Sequence, residues 1–218
     1  MIATATYAGL LKETRTVYPM PLLLTGNPED GNTSLSPEEQ DDLIPDLSTR
    51  EELNEWERQN IIEAYAWVFE RRNFRRFDPL TEPYVRELHR RMFDQTWKWA
   101  GAYRSTEKNI GIAHYQIREA LAALLGDARY WLEHQSFPPD EVAVRFHHRL
   151  VWIHPFANGN GRHARVMADI LIQRQGRPAF TWGGASIVRP GEFRSSYIQA
   201  LRAADASDIR PILKFARS

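Results

Sequence analysis

Apolar residues recur at helical spacing down most of this chain, and each run is stopped by proline or glycine. Leu53, Trp56, Asn60, Ile61, Ala64, Trp67 and Val68 follow one another at such intervals, which places them on one face of an amphipathic helix. Ser48 or Thr49 stands where that helix would be capped. Asp78-Pro79 breaks the pattern, and Thr81 opens a second helix through Leu88, Met92 and Phe93. Gly101 closes the aromatic stretch that follows. Further helices are expected over 118–133, 140–153, 161–175, 191–204 and 209–215, with Gly176-Arg177-Pro178 and Pro190-Gly191 as breaks. Residues 103–118 differ in kind. Ile110, Ile112, Tyr115 and Ile117 suggest extended chain and Gly111 allows a turn, so a short β-hairpin is expected there. The fold class is all-α, a helical bundle with one small β-hairpin.

Residues 1–48 form a separate region, a proline-rich arm with Pro19, Pro21, Pro28, Pro37 and Pro45, acidic from Glu29 to Asp46. One short helix is expected in it over 36–44, with Ser36 as cap, Pro37 at the first position and Glu39 in the first turn. Residues 49–218 are the main domain, and 218 residues suffice for one sizeable core. The 28 basic and 28 acidic residues cancel, so no bulk charge draws the chain to nucleic acid or an anionic membrane. The absence of cysteine excludes disulfides and thiolate zinc sites. The apolar patch at 19–24 lacks the basic start and long apolar core of a signal peptide. No apolar run reaches the roughly 18 residues a membrane helix needs. A cytoplasmic protein is the simplest reading.

Chemistry concentrates in twelve residues, 154–165. His154 follows an apolar helix end, and Pro155 disfavours the helical conformation at His154, so the chain should turn there. Asn158-Gly159-Asn160-Gly161 leads into the next helix, and such a loop at a helix N-terminus makes an anion site. Arg162 and Arg165 are three apart, so they share a face and can grip phosphate oxygens. A histidine can act as general base near neutral pH. By residue type alone, a phosphate site and a purely structural turn both stay open. No Lys-Ser/Thr follows the glycines, so this is not a Walker loop. The adjacent His147 and His148 point to different faces and do not form a joint metal site. Trp56, Trp67, Trp131 and Trp152 fall at expected core positions, while Trp97 and Trp99 are expected to pack before the hairpin.

The segment HPFANGNGRHAR resembles the Fic family signature, His-Pro-Phe-x-Asp/Glu-Gly-Asn-Gly-Arg-x-x-Arg. Leu88 to Phe93, Trp99 to Arg104, and the tail with Tyr197, Ala200-Leu201 and Ala204-Asp205 are also similar to that family. The stretch TREELNEWERQN further resembles a Fic subgroup called mobile mystery protein B. The resemblance implies a Fic-type helical bundle over 49–218 and a protein adenylyltransferase. It would move AMP from ATP to a Ser, Thr or Tyr hydroxyl of a target protein, with His154 as general base. Asn160, with the amides of Gly159 and Gly161, would hold the α- and β-phosphates. Arg162 would grip the β-phosphate and Arg165 the γ-phosphate. Phe156 would anchor the loop, and Tyr197 would line the adenine pocket. The hairpin, with Thr106, Glu107, Lys108, Asn109, Ile110 and Gly111, would be a flap that docks an extended target segment by strand addition.

One position departs from the signature: Asn158 stands where Asp or Glu binds Mg²⁺. An amide oxygen can still ligate Mg²⁺, more weakly. The inhibitory pattern of many Fic enzymes, whose glutamate pairs with the second motif arginine, has no convincing match; Thr25 precedes Glu29 by four residues, but Pro28 and Asp30 flank that glutamate. Three alternatives stay open: the acidic arm inhibits in another way, a separate antitoxin or inhibitory partner does, or nothing does. Two rival functions also stay open. One is a Doc-like phosphotransferase, against which Gly161 counts because Doc-type motifs carry Lys there. The other is a catalytically silent nucleotide-binding or antitoxin-binding module. Oligomeric state is not readable from the residues.

Overall fold

The computed structural model describes residues 35–47, 49–184 and 190–218. The arm up to residue 34 lies outside them, and with it the patch at 19–24 and the Thr25–Glu29 spacing; so does Ser48. The elements are α1 (Pro37–Gln40), α2 (Arg50–Phe69), α3 (Arg71–Arg76), α4 (Glu82–Phe93), α5 (Ile117–Glu133), α6 (Pro139–Ile153), α7 (Asn160–Arg174), α8 (Pro190–Asp205) and α9 (Arg210–Arg217). Among the described residues no helix is long and apolar enough to cross a membrane.

Local chemistry explains the helix starts. The Thr49 hydroxyl accepts from the Glu52 amide at 3.2 Å, and the Glu52 carboxylate accepts from the Thr49 amide at 2.9 Å. Ser36 and Glu39 make the same reciprocal pair at α1. Such a box satisfies two of the amides a helix start leaves without partners. The helix over 36–44 is shorter than expected, because after Gln40 the chain turns and Leu43 bridges to Trp97.

Helix α7 is central. Every residue from 163 to 172 is buried, as expected of a helix covered on all sides. It packs along α6, with α4 also against it, and α2 lies on α4. The core gathers Ile61, Leu88, Phe93, Phe146, Leu150, Met167 and Ile170, each no more than 1% exposed. The antiparallel pair α6 and α7 therefore holds the 154–159 turn at one end of the bundle.

Two expectations are corrected. The segment expected to be a β-hairpin is an irregular loop, followed by a 3₁₀ turn at His114–Gln116. Its Thr106 and Ile112 carbonyls turn to the Arg104 side chain, from which they accept hydrogen bonds, instead of facing one another across a ladder. The isolated Leu43–Trp97 bridge is the one strand-like pairing among the described residues. Trp56 and Trp152 are not core residues, being 44% and 45% exposed. The buried stripe of α2 runs through Glu57, Asn60, Ile61, Ala64 and Val68, leaving Trp56 at its edge with its indole donating to the Gln95 carbonyl. Trp152 lies off the buried face of α6 under the Arg149 guanidinium.

Candidate active site

Helix α6 ends at His154, whose φ of 55° and ψ of 59° are left-handed, and Pro155 accounts for the departure from helix. The imidazole Nδ1 lies 3.3 Å from the Val151 carbonyl. A carbonyl only accepts, so that contact assigns the proton to Nδ1 and the lone pair to Nε2. Burial pushes the His154 pKa down to about 4, with the Arg104 and Lys108 charges acting the same way against the Val151 carbonyl. The ring is neutral at physiological pH.

The loop after it is braced from inside and outside. The Asn160 side chain accepts from the Phe156 amide at 2.9 Å and donates to the Phe156 carbonyl at 2.8 Å, closing the turn on itself. Phe156 is fully buried and stacks on His89 at 3.7 Å. His89 accepts from the Gly101 amide at Nδ1, and so donates from Nε2 to the Asn158 carbonyl, both at 3.0 Å. Burial holds the His89 pKa well below the usual value, which keeps that proton arrangement fixed. Gly159 has a φ of 77°, and a side chain there would sit 2.4 Å from the Phe93 ring. Only glycine fits. Gly161 is different: a Cβ there would meet only the Tyr197 hydroxyl, at 3.7 Å. The start of α7 leaves the amides of Asn160, Gly161 and Arg162 without intrahelical carbonyls.

The two motif arginines share that end of α7 but differ in environment. Arg162 pairs with Glu57 at 2.6 Å, and Glu57 also accepts from the Trp97 indole at 2.8 Å. Arg165 is buried, bonds its own helix at the Gly161 carbonyl, and lies 5.4 Å from the Tyr197 ring centre. The carboxylate at this end of α7, Glu57, pairs with Arg162, while Arg165 is buried one turn from Asp169 on its own helix. The Tyr197 hydroxyl is 3.0 Å from His147 Nε2, which places Tyr197 beside Arg165 in a buried cluster. His148 turns away to Asp205, so the two adjacent histidines do face apart.

The 106–111 segment is brought to His154. A side chain on Gly111 would lie 2.5 Å from the His154 Cβ. Thr106 and Lys108 both bond the Glu39 carboxylate of α1, and Glu107 accepts from His114. Asn109 and Ile110 are exposed at the tip. Asn158 Oδ1 accepts from the Gly159 amide at 2.6 Å. That neutral oxygen has a second lone pair, so it could supply one ligand to Mg²⁺, and no group of three or more acidic or histidine ligands stands among the described residues. The sequence reading assigned no role to Glu57, His89 or Arg104. Glu57 lay inside the TREELNEWERQN resemblance and Arg104 at the end of the Trp99–Arg104 one, but their partners are distant in sequence.

A model of the Fic/DOC family matches residues 79–172, from just before α4 to near the end of α7. Protein adenylyltransferase fic-1 of Caenorhabditis elegans is 31% identical over 135 residues, covering 60% of this chain and 25% of its own length. Protein adenylyltransferase Fic of Drosophila grimshawi is 33% identical over 135 residues, covering 60% of this chain and 26% of its own. This chain thus spans about a quarter of the length of the curated relatives it matches. The structure of Fic-1 from C. elegans superposes with a TM-score of 0.62 at 26% identity, over 83% of this chain and 52% of that one. The fold alone is shared with BepC protein with bound AMPPNP from Bartonella tribocorum, at a TM-score of 0.61 and 18% identity over 84% and 97% of the chains. His154, the glycine loop, the paired arginines and the helical frame agree with these likenesses, and residues 79–172, which hold all of these but the flanking helices, match the Fic/DOC family model.

Proposed function

We propose that this protein transfers AMP from ATP to a hydroxyl group of a protein substrate. The state of His154 carries the reading: it is neutral, its Nδ1–H is committed to Val151, and its Nε2 lone pair lies one loop away from the α7 N-terminus. The hydroxyl oxygen of a Ser, Thr or Tyr would attack the α-phosphorus while Nε2 takes its proton. The bond from that phosphorus to the α–β bridging oxygen breaks, and pyrophosphate leaves. The bound phosphates would raise the His154 pKa from its depressed value toward neutrality, strengthening the base.

The amides of Gly161 and Arg162 would take phosphate oxygens, with the Arg162 and Arg165 guanidiniums closing over the outer phosphates. Asn160 would act by shaping the loop, since its side chain clamps Phe156. Tyr197 beside Arg165 is suited to line the nucleoside side. Mg²⁺, when bound, would neutralise phosphate charge, with Asn158 as one ligand and phosphates and water as the rest. The segment 106–111, held over His154, would present the target hydroxyl. ATP as donor suits a cytoplasmic site of action. The relatives named protein adenylyltransferase support the choice of donor and reaction.

Incubation with α-labelled ATP followed by intact-mass measurement tests this. An AMP adduct on the protein itself or a target is expected, reduced about 10²–10⁴-fold in His154→Ala. Equal labelling of the variant rejects His154 as base, and an adduct of phosphate mass points to the γ-phosphate instead. A second reading, a nucleotide-binding module without transfer, is favoured by the neutral Asn158, whose oxygen already serves the Gly159 amide. It holds if ATP binds by calorimetry and only Asn158→Asp yields an adduct.

A further inference from the structure

We infer that Arg104 is a positioning residue that ties both limbs of the 106–112 loop to the carbonyl of His154, and so sets where a docked hydroxyl stands relative to the base. This rests on the proposed transfer reaction. The Arg104 side chain has no solvent exposure. Its Nε donates to the His154 carbonyl at 2.7 Å, and Nη1 donates to the Thr106 carbonyl at 2.9 Å. Its Nη2 donates to the Ile112 carbonyl, and its own amide donates to the Pro155 carbonyl at 3.0 Å. The nearest carboxylate, Glu107, is 3.8 Å away and 60% exposed, so carbonyls rather than an ion pair hold this cation.

The three side-chain acceptors come from three places: the loop's outgoing limb, its returning limb and the residue bearing the base. A planar guanidinium presents donors in a fixed fork and can join three such oxygens at once, whereas an ammonium is a single point donor. The His154 carbonyl is available because the residue is left-handed and its backbone has left the helix. Gly111 completes the junction. Its φ is 98°, and a Cβ there would fall 2.5 Å from the His154 Cβ and 3.1 Å from Arg104 Nη2. The loop, the arginine and the base therefore meet with no room for a side chain between them. A cation serving only the packing of α6 would have no reason to take both limbs of a neighbouring loop.

The test compares wild type with Arg104→Lys, which keeps the charge and loses the fork, and Arg104→Met. Hydrogen exchange is followed in residues 105–113 and in α6 and α7. The single-turnover rate of self-labelling from α-labelled ATP is set beside the affinity for a non-hydrolysable ATP analogue. Exchange in 105–113 should rise in both variants while α6 and α7 keep their protection. The labelling rate should fall about 10–100-fold, as expected when reacting groups are misplaced by about 1 Å, with analogue affinity unchanged to within about twofold. Unchanged exchange in 105–113, a uniform rise across the domain, or a loss residing in analogue affinity would each overturn the assignment. If wild type itself never labels, the transfer reading fails, and the exchange comparison still decides whether Arg104 holds the loop to the base. If Arg104→Met does not fold, Arg104→Lys decides alone.

Discussion

The two sides of the site differ in what closes them. The 154–161 loop is closed by neighbours: Asn160 clamps Phe156 four residues away, Asn158 accepts from Gly159, and His154 bonds Val151. The 104–113 loop is drawn together by Arg104 at the Thr106 and Ile112 carbonyls, but its place over His154 is fixed from afar. It is held by one buried arginine to a turn 50 residues later, and by Glu39 of α1, 67 and 69 residues earlier. Short-range closure costs little chain entropy and gives a rigid unit. Long-range tethering leaves a loop whose position depends on a few contacts that can be released. The proposed chemistry on phosphorus would suit the first arrangement, and the proposed docking of a target segment the second.

Acid should damage the rigid side most. His89, His147, His154 and His163 all have pKa values depressed chiefly by burial, to about 4 for His154 and about 3 for His163. Below the unfolded value of about 6.5 the unfolded chain binds more protons than the folded one, so stability falls as pH drops through that point toward 4. The combined loss is on the order of several kcal/mol. Buried Asp169 opposes it, since its pKa is raised to about 7 and its contribution grows as pH falls below that value. Scanning calorimetry from pH 7.5 to 4.5 should show a falling Tm; a Tm that stays flat even in Asp169→Asn, where the opposing group is gone, would mean the histidines are not held neutral.

Within the rigid loop, Gly159→Ala should cost about 2–4 kcal/mol in urea denaturation, summing the left-handed backbone and the clash with Phe93. Glu57→Gln should cost about 1–3 kcal/mol by the same measurement, because it leaves the largely buried Arg162 without its carboxylate. A cost near zero would show that Arg162 finds other partners. Gly161→Ala should change stability by under about 1 kcal/mol, since its Cβ meets only ordinary contact. A larger cost there than at Gly159 would invert the account of the loop.

The hairpin expectation failed for the reason that separates the two regions. Ile110 and Ile112 alternate as strand residues do, but the Thr106 and Ile112 carbonyls turn to the Arg104 guanidinium rather than across the loop. Nothing near residue 104 in the sequence announces that. Trp56 and Trp152 misled similarly, because their helical spacing suggested core positions, while Glu57 took the inward place beside Trp56 with partners at Trp97 and Arg162, and Trp152 fell off the buried face of α6.

The sequence by itself determined the helical frame, since caps at Ser36, Thr49 and Thr81 and breaks at proline and glycine act within a few residues. It also determined the shape of the 154–161 turn, because Pro155, Gly159 and Asn160 constrain their immediate neighbours. Only the tertiary structure decided what stands around that turn. Glu57 reaches Arg162 across 105 residues, and His89 reaches Asn158 across 69. Contacts at such separations arise from the packing of whole helices, and no local rule of spacing or propensity encodes them.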